Sequence, residues 1–328
     1  SYHANLETNK THEIKQEESD YEYFDMANYS NLNLKLNEIE LFNFKHNENK
    51  FIDFNKERLL TQMYSNEGPA LAKGDINNDG IIDFFIGGAK GESSAIFVSK
   101  NNQYEKIIDP FSKKSAAEDV VAEFFDSDND GDLDLYVGSG GKAFSMYNQN
   151  LNDRLYINDG KGKFVLSTNS FEFESPISTG SVAIDDYNND GLLDLFIGER
   201  FNPDLYGIPV SGYLFENKGE NKFVKVEQKA LKELGLIKSA GWTNLNNDKF
   251  PDLIVAGEWM PIKIFINENG VLKDYTKEFG LSNSNGMWNK INIIDIDKDG
   301  DMDILAGNLG TNNFFSPNMK LYINDFDR

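Results

Sequence analysis

A nine-residue phrase, Asp-x-Asn/Asp-x-Asp-Gly-x-x-Asp, occurs four times in full along this chain and a fifth time in eroded form. The first copy sets Asp75, Asn77, Asp79, Gly80 and Asp83 at positions 1, 3, 5, 6 and 9. The second sets Asp126, Asp128, Asp130, Gly131 and Asp134 there, the third Asp186, Asn188, Asp190, Gly191 and Asp194, and the last Asp295, Asp297, Asp299, Gly300 and Asp303. Between these last two lies the eroded copy, with Asn244, Asn246, Asp248, Lys249 and Asp252. Side-chain oxygens at positions 1, 3 and 5 fall on one side of a tight loop, and glycine at position 6 permits a positive-φ turn. The carbonyl of position 7 (Ile81, Asp132, Leu192, Asp301) is available, and the aspartate at position 9 closes the cage. Hard oxygen donors in such a loop suit calcium. About four calcium sites are therefore expected, whereas Lys249, beside only two carboxylates, leaves the Asn244–Asp252 loop empty.

An EF-hand would need a glutamate at position 12 and a helix on either side. Position 12 is Ile86, Val137, Ile197 and Ala306, none of which ligates through its side chain. The residues after each phrase, such as Leu133 to Val137 and Leu193 to Ile197, are β-rich runs ending at glycine, so the loops belong to hairpins. The plainer reading is that these are turns alone, since Asp, Asn and Gly dominate turns anyway; four full copies of a ligand-spaced phrase favour the metal.

The spacing decides the fold. First positions at 75, 126, 186, 244 and 295 stand 51, 60, 58 and 51 residues apart, a repeat signature. Each unit has a strand before the loop (Val120–Phe125, Ser181–Ile184), a second after it, and a third ending in Asn (Leu155–Asn158, Leu214–Asn217, Ile264–Asn267). A turn then leads to a fourth, as at Lys222–Val226. Four strands in some fifty residues make a propeller blade. The expected fold is an all-β propeller over residues 36–328, with five countable blades near 68–115, 116–170, 177–230, 236–280 and 286–328.

Residues 1–35 are rich in Glu, Asp, Asn and Lys and read as an acidic linker or loose arm, and the alternating stretch 38–54 reads as one or two strands. Asp325-x-Asp327 would open a sixth loop or belong to a hairpin of blade five. No tie between last and first blade is visible, so the chain reads as a fragment of a larger propeller. The formal charge is −22, and four divalent ions would still leave −14, a poor surface for nucleic acid or anionic membrane. There is no cysteine for disulfide or thiol chemistry, and no stretch long enough to span a membrane. Calcium stapling works where calcium is plentiful, which points to a surface or secreted setting.

If the Asp loops share one face, the connections after each second strand emerge on the other, and loops on a rigid scaffold are the usual place for binding. Arg200, Glu258, Trp259 and Asn308 in those connections are the candidate partner contacts. Trp242, Trp259 and Trp288 suit packing between blades, with saccharide stacking as the alternative. His3, His12 and His46 all precede the repeats, so no Ser-His-Asp arrangement can be built in the blades, and no phosphate-binding glycine loop follows a strand.

The loops and the Leu155-Tyr-Ile-Asn158-Asp-Gly160-Lys-Gly162-Lys-Phe164 hairpin resemble FG-GAP/VCBS repeats, the blades of calcium-bearing propellers such as those of integrin α-subunits. The stretches 44–54, 68–75, 257–262 and 307–310 resemble more closely the UnbV/ASPIC, cartilage-acidic-protein-like proteins found among Bacteroidota surface lipoproteins. This resemblance, over residues 40–328, implies a calcium-bound scaffold at a cell surface, anchored as an outer-membrane lipoprotein and possessing no catalytic chemistry. The expected function is a binding or assembly module for a protein partner or a glycan, within an outer-membrane assembly. The alternatives are a polysaccharide lyase or hydrolase using the opposite face, and a structural spacer. By carboxylate count, loops two and five should bind calcium most tightly, loops one and three more weakly.

Overall fold

The computed structural model describes residues 11–13, 41–309 apart from 102, 169 and 172, and 320–322. Its regular structure is almost wholly antiparallel strand. The first strand, β1 (Thr11–Glu13), belongs to the last blade. Blade one is β2 (Leu71–Gly74), β3 (Asp83–Ile86), β4 (Ala95–Lys100) and β5 (Gln103–Ile107). Blade two is β6 (Asp119–Phe125), β7 (Asp134–Ser139), β8 (Arg154–Asn158) and β9 (Phe164–Leu166). Blade three is β10 (Thr179–Asp185), β11 (Asp194–Glu199), β12 (Gly212–Asn217) and β13 (Phe223–Val226). Blade four is β14 (Leu236–Thr243), β15 (Asp252–Met260), β16 (Lys263–Glu268) and β17 (Val271–Asp274). Blade five holds β18 (Gly286–Ile294), β19 (Asp303–Asn308) and β20 (Lys320–Tyr322), with β1 as its fourth strand. The protein is an all-β, propeller-type chain of four-stranded blades.

Every Asp phrase joins the first two strands of its blade, in one register: Gly74, Phe125, Asp185, Thr243 and Ile294 each pair with the position-9 aspartate. A one-residue slip would turn each second strand inside out, so the repeat fixes the pairing. In blades one to four those second strands are apolar on both faces because both faces are covered. In β11, Leu195 and Ile197 face blade two and Phe196 faces blade four, all fully buried. Residues from β2, β6, β10 and β18, with Lys238 of β14, surround one central cavity of about 360 Å³. Four apolar clusters bond the blades in sequence, one to two, two to three, three to four and four to five.

The edges of this series differ from its middle. The position after Ile304 is Leu305, 38% exposed, whereas its equivalents Phe85, Tyr136, Phe196 and Ile254 are fully buried against the next blade. On blade one the opposite face, Phe84 and Phe97, is covered by Phe42 and Phe44, with Phe42 stacked on Phe97 at 4.0 Å. The expectation of strands over 38–54 is thus corrected within the described residues. Burial alternates over Leu41–His46, as the sequence pattern required, but no ladder forms; aromatic packing on blade one replaces it, and Asp53–Asn55 is a 3-10 turn. Strand β1 pairs antiparallel with β20, which gives a tie between the N-terminal segment and the last blade where none was foreseen. The rest of the 1–35 arm and the Asp325-x-Asp327 pair lie outside the described residues.

Candidate metal loops and the opposite face

In the four full loops the position-1 carboxylate caps the turn. Asp75 accepts N–H groups from Asp79 (3.0 Å) and Gly80 (2.7 Å), Asp126 from Asp130 and Gly131, and Asp186 from Asp190 and Gly191. Asp295 accepts from Lys298 and Gly300. The position-6 glycines Gly80, Gly131, Gly191 and Gly300 all have positive φ, between 83° and 103°. Position 4 is left-handed as well, in Asn78, Asn129, Asn189, Asn247 and Lys298. The sequence reading gave that position no role. The signal was the asparagine found there in four of five copies, since Asn tolerates this conformation better than most residues. The eroded loop differs: Lys249 does not have positive φ, and Asn244 donates its amide to the Asp248 carbonyl instead of accepting N–H groups. Lys249 rests over the Phe250 ring.

The position-9 aspartates do more than close a cage. Asp83, Asp134, Asp194, Asp252 and Asp303 are all buried. One oxygen accepts the position-2 N–H in four of the blades (from Ile76, Ser127, Leu245 and Ile296). In blades one to four the other accepts an N–H from strand three: Ser99, Asn158, Asn217 or Asn267. The asparagine side chains then reach across to the preceding blade. Asn158 donates to Ile76 O and Leu133 O, Asn217 to Ser127 O and Leu193 O, Asn267 to Tyr187 O and Pro251 O. Each asparagine therefore clasps position 8 of its own loop to position 2 of the loop before it.

An FG-GAP-like repeat profile matches residues 75–137, 139–197 and 244–306, more than half of the chain. The protein belongs to the FG-GAP-like repeat family. Each matched FG-GAP-like stretch ends on the strand that leaves an Asp loop, at Val137, Ile197 and Ala306. No curated protein is significantly similar to the chain. Among solved structures it is similar to the major allergen Mala s 1 of Malassezia sympodialis, at 14% identity over 77% of each chain and a TM-score of 0.43. It is also similar to BBS1N, solved in complex with ARL6DN and soaked with lead, at 11% identity, 80% of this chain and 93% of that one, TM-score 0.35. Neither likeness is strong enough to bear on function.

The donor set of these FG-GAP-like loops fits a divalent cation. Asp126, Asp128 and Asp130 bring carboxylate oxygens within 4.8 Å of one another, as do Asp295, Asp297 and Asp303. Asp134, by contrast, is turned to the backbone and to the Ser127 hydroxyl. Loops one and three have asparagine at position 3, and Asn77 and Asn188 donate to Asp79 and Asp190. Asp299 accepts the Asp301 N–H, and Ile81, Asp132 and Leu192 likewise donate their N–H groups to position 5. Burial pushes the Asp134 carboxyl up to about 6 and Asp194 up to about 7, against the hydrogen bonds that Ser127 and Asn158 or Asn217 provide. Asp83, Asp134, Asp194 and Asp252 have no cationic side chain in ion-pair contact among the described residues, and Asp194 Oδ2 and Asp128 Oδ1 are buried without a hydrogen-bond partner there. Carboxylates buried without a countercharge are costly; a bound cation would supply it.

On the opposite face the candidate contacts separate. Arg200 and Glu258 are 3% and 2% exposed and bond to each other at 2.6 Å, so they are interior groups. The cause is the segment before the blades. Tyr64, from that segment, is buried over Phe201, and its hydroxyl lies 2.6 Å from that of Tyr206, both reaching Glu258 Oε2. Burial pushes Glu258 up, but Arg200 and the Tyr206 hydroxyl overcome it and hold the carboxyl below the ordinary glutamate value. Asp53 accepts the Tyr64 and Ser65 N–H groups, Lys56 pairs with Asp204, and fully buried Lys142 pairs with Glu57. Trp288 is buried and Trp242 packs near Tyr187, both donating to carbonyls. Asn308 is half-buried. Trp259 alone of the four contacts is well exposed, at 49%, with φ of 60° where β15 slips register against β18. Its indole N–H donates to Tyr206 Oη at 3.0 Å, and Leu205 and Ile208, near Tyr206 in sequence, are exposed.

Proposed function

We propose that this FG-GAP-like protein is a calcium-stabilised propeller that works, without catalysis, as a binding or assembly module at a cell surface. Its partner is a protein or a glycan. The finer kinship, to UnbV/ASPIC-type surface lipoproteins of Bacteroidota and their outer-membrane assemblies, belongs to this proposal. The observation that carries the reading is the pair of carboxylate triads in loops two and five, set in a family of turns whose position-9 carboxylates are buried, those of blades one to four with no cationic side chain in ion-pair contact among the described residues. Asp75, Asn77, Asp79, Asp83, Asp186, Asn188, Asp190 and Asp194 would hold ions in the other two loops. When bound, calcium supplies charge neutralisation and rigidity, and it takes no part in a reaction.

Recognition is then left to the opposite face. There a bulky residue held at positive φ is strained, and such strain concentrates at functional positions. Exposed Trp259 donates to half-buried Tyr206, near which in sequence Leu205 and Ile208 are exposed, on loops anchored by the Tyr64–Arg200–Glu258 network. A glycan array and a polysaccharide turnover panel test the reading together. Binding that Trp259→Ala abolishes supports the module, turnover of any polysaccharide replaces it with an enzyme, and neither result leaves a spacer.

A further inference from the structure

Position 3 of the third loop is held from outside the loop. Asn188 Nδ2 donates to Glu216 Oε1 at 3.1 Å and to Asp190 Oδ2 at 2.9 Å, while its Oδ1 accepts the Asp190 N–H. Glu216 lies on β12, one residue before the asparagine that clasps the neighbouring loops. By register its equivalents are Val98, Ile157 and Ile266, so among blades one to four only blade three has an acid there. The same loop contains Asp194 Oδ2, buried and without a hydrogen-bond partner among the described residues, whereas the matching oxygen accepts the position-2 N–H in the other blades. Lys218 pairs with Glu216 from the solvent side at 2.6 Å.

We propose that Glu216 is a positioning residue of the third metal loop, which orients Asn188 and supplies a fourth carboxylate charge, so that this loop binds a divalent cation more tightly than loop one. The inference rests on the metal reading of the loops. It separates loops one and three, which the carboxylate count leaves equal. A partner that orients a ligand and adds charge commonly tunes a metal site without touching the ion.

The site has its own reporter. Tyr187 is position 2 of the loop, and Trp242 lies near-parallel to it with ring centroids 6.5 Å apart. Terbium titrated into the full chain is read by tryptophan-sensitised emission and displaced with calcium, with Trp242→Phe identifying the loop-three signal. Glu216→Gln keeps an acceptor for Asn188 and removes the charge, and should weaken terbium binding at this loop roughly three- to tenfold, the range for a partly exposed charge near an ion. Lys218→Met removes the opposing charge on an exposed side chain and should tighten binding about two- to threefold on the same reasoning. Wild-type titration with both variants unchanged overturns the role of Glu216 and leaves the metal loops standing. No calcium-displaceable emission from the wild type overturns the metal reading and this inference with it.

Discussion

Replacing Asn267 with alanine tests the clasp between blades most sharply. The side chain is fully buried and its amide donates to Tyr187 O at 2.8 Å in blade three and to Pro251 O at 3.0 Å in blade four. Its Oδ1 accepts the Gly270 N–H at 2.8 Å. Alanine would leave two carbonyls and one N–H without these partners. Each stranded buried group costs about 1–3 kcal/mol. Allowing for partial relaxation, the loss should be about 3–5 kcal/mol, a large share of the roughly 5–15 kcal/mol that holds a typical fold. Urea unfolding followed by tryptophan fluorescence should show a lower midpoint with little change in slope. Asn267→Asp is the stricter variant, because it keeps the acceptor for Gly270 but sets a carboxylate against two carbonyl oxygens. It should destabilise at least as much as alanine. A loss under about 1 kcal/mol for alanine, the size of a single ordinary hydrogen bond, or an aspartate variant milder than alanine, would refute the clasp.

Glu118 gives a pH dependence outside the loops. It is buried, accepts from Asn49, has Glu48, Asp53 and Glu67 raising its carboxyl and Lys90 lowering it, and is pushed up to about 8, mainly by burial. The folded state therefore holds a proton from the unfolded value of 4.5 up to about 8, and stability falls as pH rises through that window. Glu118→Gln should melt higher than wild type at roughly pH 9 and nearly alike at roughly pH 4; equal melting at both would remove Glu118 from the account. In the eroded loop, Asn244→Asp with Lys249→Gly restores a third carboxylate and the turn glycine. The double variant should bind one more calcium than wild type by ion counting, and an unchanged count would show that the loop lacks more than these two residues.

The repeat made blades, strand order and loop placement legible, because a period-two strand flanked by a fixed turn leaves one register. Leu195, Phe196 and Ile197 announced a β-rich run, and the structure buries it on both faces. What stayed hidden depends on contacts distant in sequence. Arg200 and Glu258 look like loop charges until Tyr64, from far upstream, is seen to bury them. Phe42 and Phe44 alternate like a strand, yet they pack on blade one without a ladder. The asparagine ending strand three was visible in the repeat, but its bonds to the preceding loop follow only from the blade-to-blade stacking.

The central claim is that the Asp loops bind calcium and that the fold depends on it. The direct test is thermal unfolding of the whole chain with calcium and with a chelator, together with a count of bound ions. A ligand held only by the folded state adds about 2.7 kcal/mol per site at a hundred times its Kd. The account predicts a large rise in the midpoint and about four ions per chain, the number of full loops. An unchanged midpoint with no ions retained would mean that the phrases are turns alone, and the surface-module reading would fall with them.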